Sequence, residues 1–244
     1  MEFPFYTGEV PYLSTEQMVE VDRLMIEDYG IALIQMMENA GRNLANLARS
    51  RFLDGDPRGK SVIVMVGRGG NGGGALVCAR RLHNWGAQVR VCLAKPEGDF
   101  SGVPAHQLDI LRKMGVPIEP PATAIGGSSP ELIVDGIIGY SLDGNPHGAA
   151  ANLIERSNGQ DTPVLALDAP SGVDAGTGEV FSPAIKATAT MTLALPKKGL
   201  RTPGVEEQVG ELYLADISVP PGLYEGMGIE LDSIFAEGDV VRLR

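Results

Sequence analysis

Residues 61–66 read SVIVMV, residues 67–74 read GRGGNGGG and residues 75–86 read ALVCARRLHNWG. An unbroken apolar run, six glycines in eight positions and an amphipathic pattern spell strand, turn and helix in immediate succession. Further strand candidates follow as QVRVCLA (88–94), ELIVDGI (131–137), PVLALD (163–168), ATMTLAL (189–195) and GELYLAD (210–216), with helical patterns around 104–114 and 148–157. The order βαβαβαβ implies an α/β fold, a mostly parallel sheet with helices on both faces. The last strands lack full-length helices between them and are expected to pair differently at one edge. Upstream, residues 1–13 read as an arm, and Ser14-Thr15-Glu16-Gln17 forms a capping box that opens a helix. Met18, Val21 and Met25 keep helical spacing up to Gly30, and Ile34, Met37, Gly41, Leu44 and Ala48 mark a second helix ending near Ser50. An N-terminal helical pair is expected, with Met25, Met36 and Met37 as core filler. Residues 126–130, GGSSP, read as a loop, and no linker separates two cores, so 1–244 is expected to be one domain.

Apolar residues make up 43% and charged residues 21% of the 244, with mean hydropathy near zero, which is the composition of a globular chain. Twenty Lys+Arg against 31 Asp+Glu give a net charge of −11, which repels a nucleic-acid backbone or an anionic membrane. Any phosphate must be captured locally, by backbone N–H groups and a helix end. Two cysteines, Cys78 and Cys92, both in apolar stretches, offer no disulfide framework and suit a reducing cytoplasm. Neither a secretory leader nor an apolar run long enough to span a membrane is expected.

In such a sheet, ligands collect at the carboxyl ends of the strands where strand order reverses. Four loops leave strand ends. Gly67 to Gly74 holds enough glycine for the backbone to approach an anion closely, and Asn71 supplies its one amide side chain. No Lys-Ser/Thr follows, as a P-loop requires, and no acid clearly ends the second strand, as a dinucleotide fingerprint requires. The second loop runs from Asp135, which ends an apolar strand, through Gly139, Tyr140, Ser141, Leu142, Asp143 and Gly144 to Asn145. A carboxylate at such a place is functional or paired, because burying it alone is costly. The third, Asp168-Ala169-Pro170-Ser171-Gly172-Val173-Asp174, repeats strand then acid, with Asp174 read as a turn residue. Two carboxylates, an Asn carbonyl and a Ser hydroxyl make a hard oxygen donor set suited to an alkali or alkaline-earth ion. The fourth loop carries Lys197 and Lys198, either offsetting a phosphate or merely solvated. The scattered His83, His106 and His147 and the lack of a G-x-S-x-G elbow argue against a hydrolase triad, and His147 is a candidate substrate contact.

These loops resemble the YjeF N-terminal domain family of NAD(P)H-hydrate epimerases from about residue 14 to about residue 220. The resemblance is carried by MENAGRNLA (37–45), GRGGNGGGALVCARRL (67–82), VDGIIGYSL (134–142), LDAPSGVDAGTGEV (167–180) and LALPKKGL (193–200). It implies a Rossmann-like three-layer αβα sandwich. It also implies interconversion of the R and S forms of hydrated NADH and NADPH, whose repair a separate dehydratase completes. By motif position it implies Asn71, Asp135 and Ser171 as ligands of a potassium ion (K+) and Asp168 as the substrate-contacting, catalytic acid. Gly70, Asn71, Gly72, Gly73 and Gly74, with the Gly139 to Asn145 loop, are implied to hold the substrate. A homodimer through the N-terminal helices is a further expectation. The chain departs from the family's usual GxGNNGGDG at Gly70, Gly74 and Ala75, from its Gly-Thr-Gly at Tyr140 and Ser141, and from a frequent Asp at Thr188. A module of the same fold that binds nucleotide or protein without turnover is the competing expectation, favoured by the carboxylate missing at Gly74.

Overall fold

The computed structural model describes residues 3–121 and 129–244. In chain order the elements are α1 (Thr15–Glu27), α2 (Leu33–Phe52), β1 (Ser61–Val66), α3 (Gly70–Asn84), β2 (Gln88–Leu93), α4 (Gly102–Lys113), β3 (Ile118–Glu119) and β4 (Leu132–Gly136). There follow α5 (Ala149–Asn158), β5 (Val164–Leu167), β6 (Ala189–Leu193), α6 (Glu206–Val209), β7 (Glu211–Ala215), α7 (Pro221–Gly226) and β8 (Val240–Arg242). They form one sheet in the order β3-β2-β1-β4-β5-β6-β7-β8, parallel from β3 through β7 and antiparallel only between β7 and β8. Strand order reverses between β1 and β4.

Alternation along β1 explains the layering. Val62, Val64 and Val66 face a core with Leu44 of α2, Leu76 of α3 and Leu108 of α4, whereas Ile63 and Met65 join Leu153 and Ile154 of α5 in a second core. Both faces of the strand are covered, which is why its sequence is apolar without a break. The predicted capping box is present: Ser14 N–H donates to Gln17 Oε1 at 2.9 Å and Gln17 N–H to Ser14 Oγ at 3.3 Å. The two N-terminal helices share a cluster that includes Met18, Val21, Met25, Met36 and Ala40. Their main helical partners lie elsewhere, α3 for α2 and α7 for α1.

Several expectations are refined. Residues 3–13 are docked rather than loose: Arg242 N–H donates to the Pro4 carbonyl, Tyr6 N–H to the Arg242 carbonyl, and Leu13 is buried. The late strands β6 and β7 pair in parallel, and the edge that departs is β8, a strand of three residues. Of the expected loop at 126–130, residues 126–128 lie outside the described residues. The glycine-rich stretch is not a loop throughout, since α3 already begins at Gly70.

Part of that glycine content serves packing. A methyl group at Gly72 would overlap the Gly67 carbonyl oxygen, and one at Gly67 the Ile137 carbonyl oxygen. A methyl at Gly69, by contrast, would meet nothing within 4 Å. Gly72→Ala is therefore expected to lower stability by about 1–3 kcal/mol or more through forced backbone displacement. Gly69→Ala should change it by under about 1 kcal/mol. Urea unfolding of the two variants beside the parent checks the contrast.

Candidate functional site

A cavity of about 480 Å³ opens at the carboxyl ends of β1, β2, β4, β5 and β6, over the reversal of strand order. Its lining includes Gly70, Asn71, Gly74, the whole Gly139 to Asn145 stretch and Asp168. Gly72 and Gly73, expected to touch a ligand, are not among the residues that line it. They face the Gly67 turn and the Met37 side chain, and their missing side chains admit those neighbours. Met36 and Met37 are core residues, as expected, and also form cavity wall.

Asp135 and Ser171 lie beneath the cavity, both with no exposed surface. Ser171 Oγ–H donates to Asp135 Oδ1 at 2.6 Å and Ser171 N–H to Oδ2 at 2.8 Å, while Ile137 N–H donates to Oδ1 at 3.2 Å. Ser171 Oγ also accepts from Ile138 N–H at 2.9 Å. Burial pushes the Asp135 carboxyl up to about 6, against the opposing pull of the Ser171 and Ile137 donors. Asn71 reaches the same 137–139 turn from the first turn of α3: a methyl on Gly139 would lie 3.2 Å from Asn71 Cγ and 3.5 Å from its Oδ1. Both polar atoms of the Asn71 side chain are buried without a hydrogen-bond partner. Such groups carry a penalty unless something satisfies them. An orphaned amide beside a buried hydroxyl–carboxylate pair is a donor set of hard oxygens, and it fits a cation without nitrogen or sulfur ligands.

Asp168 follows β5 with φ +68°, the left-handed region, where Asp is better tolerated than most residues. Its N–H donates to the Met191 carbonyl at 2.7 Å. Among the described residues, every hydrogen bond to its carboxylate falls on Oδ1: from Lys197 Nζ, from Leu193 N–H at 3.3 Å and from Thr192 Oγ1 at 3.4 Å. Oδ2 is left for the cavity. Lys197 is 1% exposed and places its remaining donors on the Leu193 carbonyl at 3.0 Å and Thr192 Oγ1 at 3.4 Å. The alternatives of solvation or phosphate contact do not describe Lys197, which is a buried counter-ion, whereas Lys198 is exposed.

A second acid enters from α1. Tyr140 Oη–H donates to Asp22 Oδ2 at 2.5 Å, tying the loop after β4 to the N-terminal helix across the cavity. Burial raises the Asp22 carboxyl above its ordinary range, the Tyr140 hydrogen bond and the Lys197 charge oppose the rise, and the Asp168 charge adds to it. Burial also raises the Tyr140 hydroxyl, helped by Asp22. Neither Asp22 nor the roles of Lys197 and Tyr140 were apparent from local pattern. The signal for Lys197 was its place just past an apolar strand, the same place as the acids; Asp22 sits in an ordinary amphipathic helix and gave none.

Other candidates separate. His147 is exposed on the cavity rim, with Nδ1 3.4 Å from the Asn145 carbonyl. Asp174 Oδ1 accepts from Gly176 N–H and Thr177 N–H, both at 2.8 Å, and is the expected turn residue. Thr188, preceding β6, accepts from Val164 N–H at 3.1 Å at the amino ends of the strands, the edge opposite the cavity, so its departure from the family pattern does not touch this site.

A parallel sheet whose strand order reverses, with a glycine-lined helix start and buried acids at its carboxyl edge, defines an α/β protein with a pocket at the switch point. The YjeF-related protein N-terminus family matches residues 33–199, and the chain belongs to that family. An NAD(P)H-hydrate epimerase of Dehalogenimonas lykanthroporepellens is 39% identical over 100% of this chain and 98% of its own length. A bifunctional NAD(P)H-hydrate repair enzyme Nnr of Salinibacter ruber is 34% identical over 86% of this chain, which spans 41% of that larger protein. The crystal structure of yeast ynu0, YNL200c, matches with a TM-score of 0.79 at 26% identity, over 96% of this chain and 100% of that one. Among the described residues, no helix is long and apolar enough to cross a membrane.

Replacing Tyr140 by Phe removes a hydroxyl donor to Asp22 and so favours the neutral acid. The Asp22 titration should move further upward, read by carboxyl ¹³C NMR. The sign for stability follows: an acid whose folded pKa is raised contributes most below the ordinary carboxylate range, and this contribution is lost as pH rises through the raised value. Tyr140→Phe should steepen that loss in unfolding curves taken across acid to neutral pH. No movement of the Asp22 titration would remove Tyr140 as its partner.

Proposed function

We propose that this protein interconverts the R and S forms of hydrated NADH and NADPH. The observation that carries the reading is the Asp168–Lys197 pair, buried, with one carboxylate oxygen left to a cavity that the glycine-rich start of α3 also borders. The whole-length similarity to an NAD(P)H-hydrate epimerase supports it.

The reacting carbon of the hydrate carries both the hydroxyl and a bond to the ring nitrogen. Cleaving the C–O bond sends its electron pair to oxygen while the nitrogen lone pair forms a C=N bond. The departing hydroxide takes a proton and leaves as water, and the ring becomes a cationic iminium. Addition of water to the opposite face, with loss of a proton, returns the nitrogen lone pair and inverts the centre. Asp168 is the catalytic residue in this account. Together with Lys197 it lends the proton and recovers it, ending each cycle as it began. Carboxylates from Asp168 and Asp22 stand near the developing positive charge.

Gly70, Asn71 and Gly74, with the stretch from Gly139 to Asn145, hold the dinucleotide, so that the ring is presented to Asp168. We assign Asn71, Asp135 and Ser171 to a potassium ion; its charge, when bound, would offset that of the adjacent phosphates. A bifunctional relative, of which this chain spans 41%, supports a functional link to a dehydratase. The single eight-stranded sheet supports reading the chain as one domain, and two buried free cysteines suit the cytoplasm. Val19, Ile26 and Tyr29, exposed on and beside α1, support a homodimer contact.

The test is interconversion of purified R and S hydrates, coupled to a stereospecific dehydratase. The wild-type protein should equilibrate them, and Asp168→Ala should lower kcat by about 10²–10⁴-fold. No interconversion by the wild type would reject the assignment, and unchanged rates in Asp168→Ala would reject the role of that carboxylate.

A further inference from the structure

The end of the cavity over β2 carries two basic side chains that this chemistry does not use. Val66 of β1 pairs with Leu93 of β2, and the Ala94 N–H extends the ladder to the Val66 carbonyl at 2.9 Å. Arg68 and Lys95 thus each stand two residues beyond a paired position on adjacent strands, at the carboxyl edge, and both line the cavity. Among the described residues neither makes a hydrogen bond or ion pair. Several other cations are matched, Arg51 with Glu211, Arg58 with Asp56 and Arg80 with Glu38, whereas Arg68 and Lys95 share the wall of one cavity. The carboxylates of the cavity, Asp22, Asp143 and Asp168, come from α1, the loop after β4 and the end of β5. The nearest acid after β2, Glu97, is engaged by Arg112. Two unmatched cations at one end of a pocket, in a chain of net charge −11, are a local anion site.

The order of strands says which anion. With the ring at Asp168 on β5 and the diphosphate at the start of α3 between β1 and β4, the dinucleotide runs along the carboxyl edge toward β2. Three strand spacings separate β5 from β2, about 14 Å. The half that arrives over β2 is the adenosine ribose. No acid ends β2 to accept hydrogen bonds from a free 2′-hydroxyl, and a guanidinium beside an ammonium is the chemistry that receives a phosphate there. The approach is open, since a methyl at Gly69 would meet nothing within 4 Å and one at Gly70 only Met37 Cε at 3.8 Å.

We propose that Arg68 and Lys95 receive the 2′-phosphate of the adenosine ribose, so that this chain selects hydrated NADPH over hydrated NADH. The inference rests on the epimerase reading of the same cavity.

Two measurements on the full chain test it. In steady-state kinetics the wild type should favour hydrated NADPH by about tenfold or more in kcat/KM, carried mainly in KM. In the Arg68→Ala/Lys95→Ala variant that ratio should fall to near one through loss on the phosphorylated substrate. Equal values in the wild type overturn the proposal. So do equal losses on both substrates, which would place the cations on the diphosphate that the two share. Calorimetry with adenosine 2′,5′-bisphosphate against adenosine 5′-monophosphate reads the same contact without turnover. Tighter binding of the bisphosphate, lost in the variant, supports the 2′-phosphate contact even where neither hydrate is epimerised, an outcome that would reject the epimerase reading alone. Equal binding of the two nucleotides overturns the contact. An unchanged thermal midpoint in the variant assigns the losses to binding rather than to folding.

Discussion

The backbone of α3's first turn lies against the ends of β1 and β4 more closely than any side chain permits. Gly72 meets the Gly67 carbonyl and Gly67 meets the Ile137 carbonyl, so a single methyl group at either position would push the helix off the sheet. What depends on that contact is the placement of Asn71. Because the helix start is pressed onto the 137–139 turn, the amide is buried beside Gly139, one turn from the Asp135–Ser171 pair. Separating the two backbones by an ångström or two would let water reach Asn71. It would also pull the three oxygen-bearing side chains apart. The glycine content therefore has two physical meanings within one short stretch, backbone contact at 67 and 72 and open approach at 69 and 70.

The same economy appears at the other end of the cavity. Asp168 and Lys197 are joined in a site nearly sealed from solvent, and removing either partner from such a pair leaves a buried charge at a cost of about 3–5 kcal/mol. Lys197 Nζ is satisfied by Asp168 Oδ1, the Leu193 carbonyl and Thr192 Oγ1, so the ammonium is fixed in direction as well as in charge. That leaves the carboxylate asymmetric, with one oxygen committed and the other directed to the cavity. A positive φ at Asp168, held by its N–H bond to Met191, is the local strain that sets this orientation.

How much of this was legible in the sequence depends on whether the signal was local. The apolar runs of β1, β2, β4, β5, β6 and β7 and the Ser14 capping box were readable because each is written within a few consecutive residues. Acids at strand ends, Asp135 and Asp168, stood out for the same reason. The two-residue β3 and the three-residue β8 were not readable, being too short for any period to develop. Gly72 and Gly73 were expected as ligand contacts, and what the structure adds is that their missing side chains admit the Gly67 carbonyl and Met37, because glycine that admits a ligand and glycine that admits another group look alike in sequence. Asp22 was missed, and Lys197's role as the counter-ion of Asp168 was not foreseen, because what makes each special is a partner far along the chain, Tyr140 for one and Asp168 for the other.

Net charge sharpens the account of binding. A chain of −11 repels a polyanion at long range, and within a Debye length of about 8 Å at physiological ionic strength only local groups count. The cavity is accordingly divided by charge along the sheet edge. Asp168 with its counter-ion Lys197 stands at the β5 end, where the proposed chemistry passes through a cation, and the unpaired Arg68 and Lys95 follow β1 and β2. A ligand that is cationic in its transition state at one end and polyanionic at the other can satisfy both ends only in one orientation. On the proposed reading, the gradient would fix which way the dinucleotide lies before any shape complementarity acts. The sheet supplies this for a simple reason: parallel strands deliver successive loops to one edge in the order of the strands, so a sequence of charges along the edge becomes a direction in space.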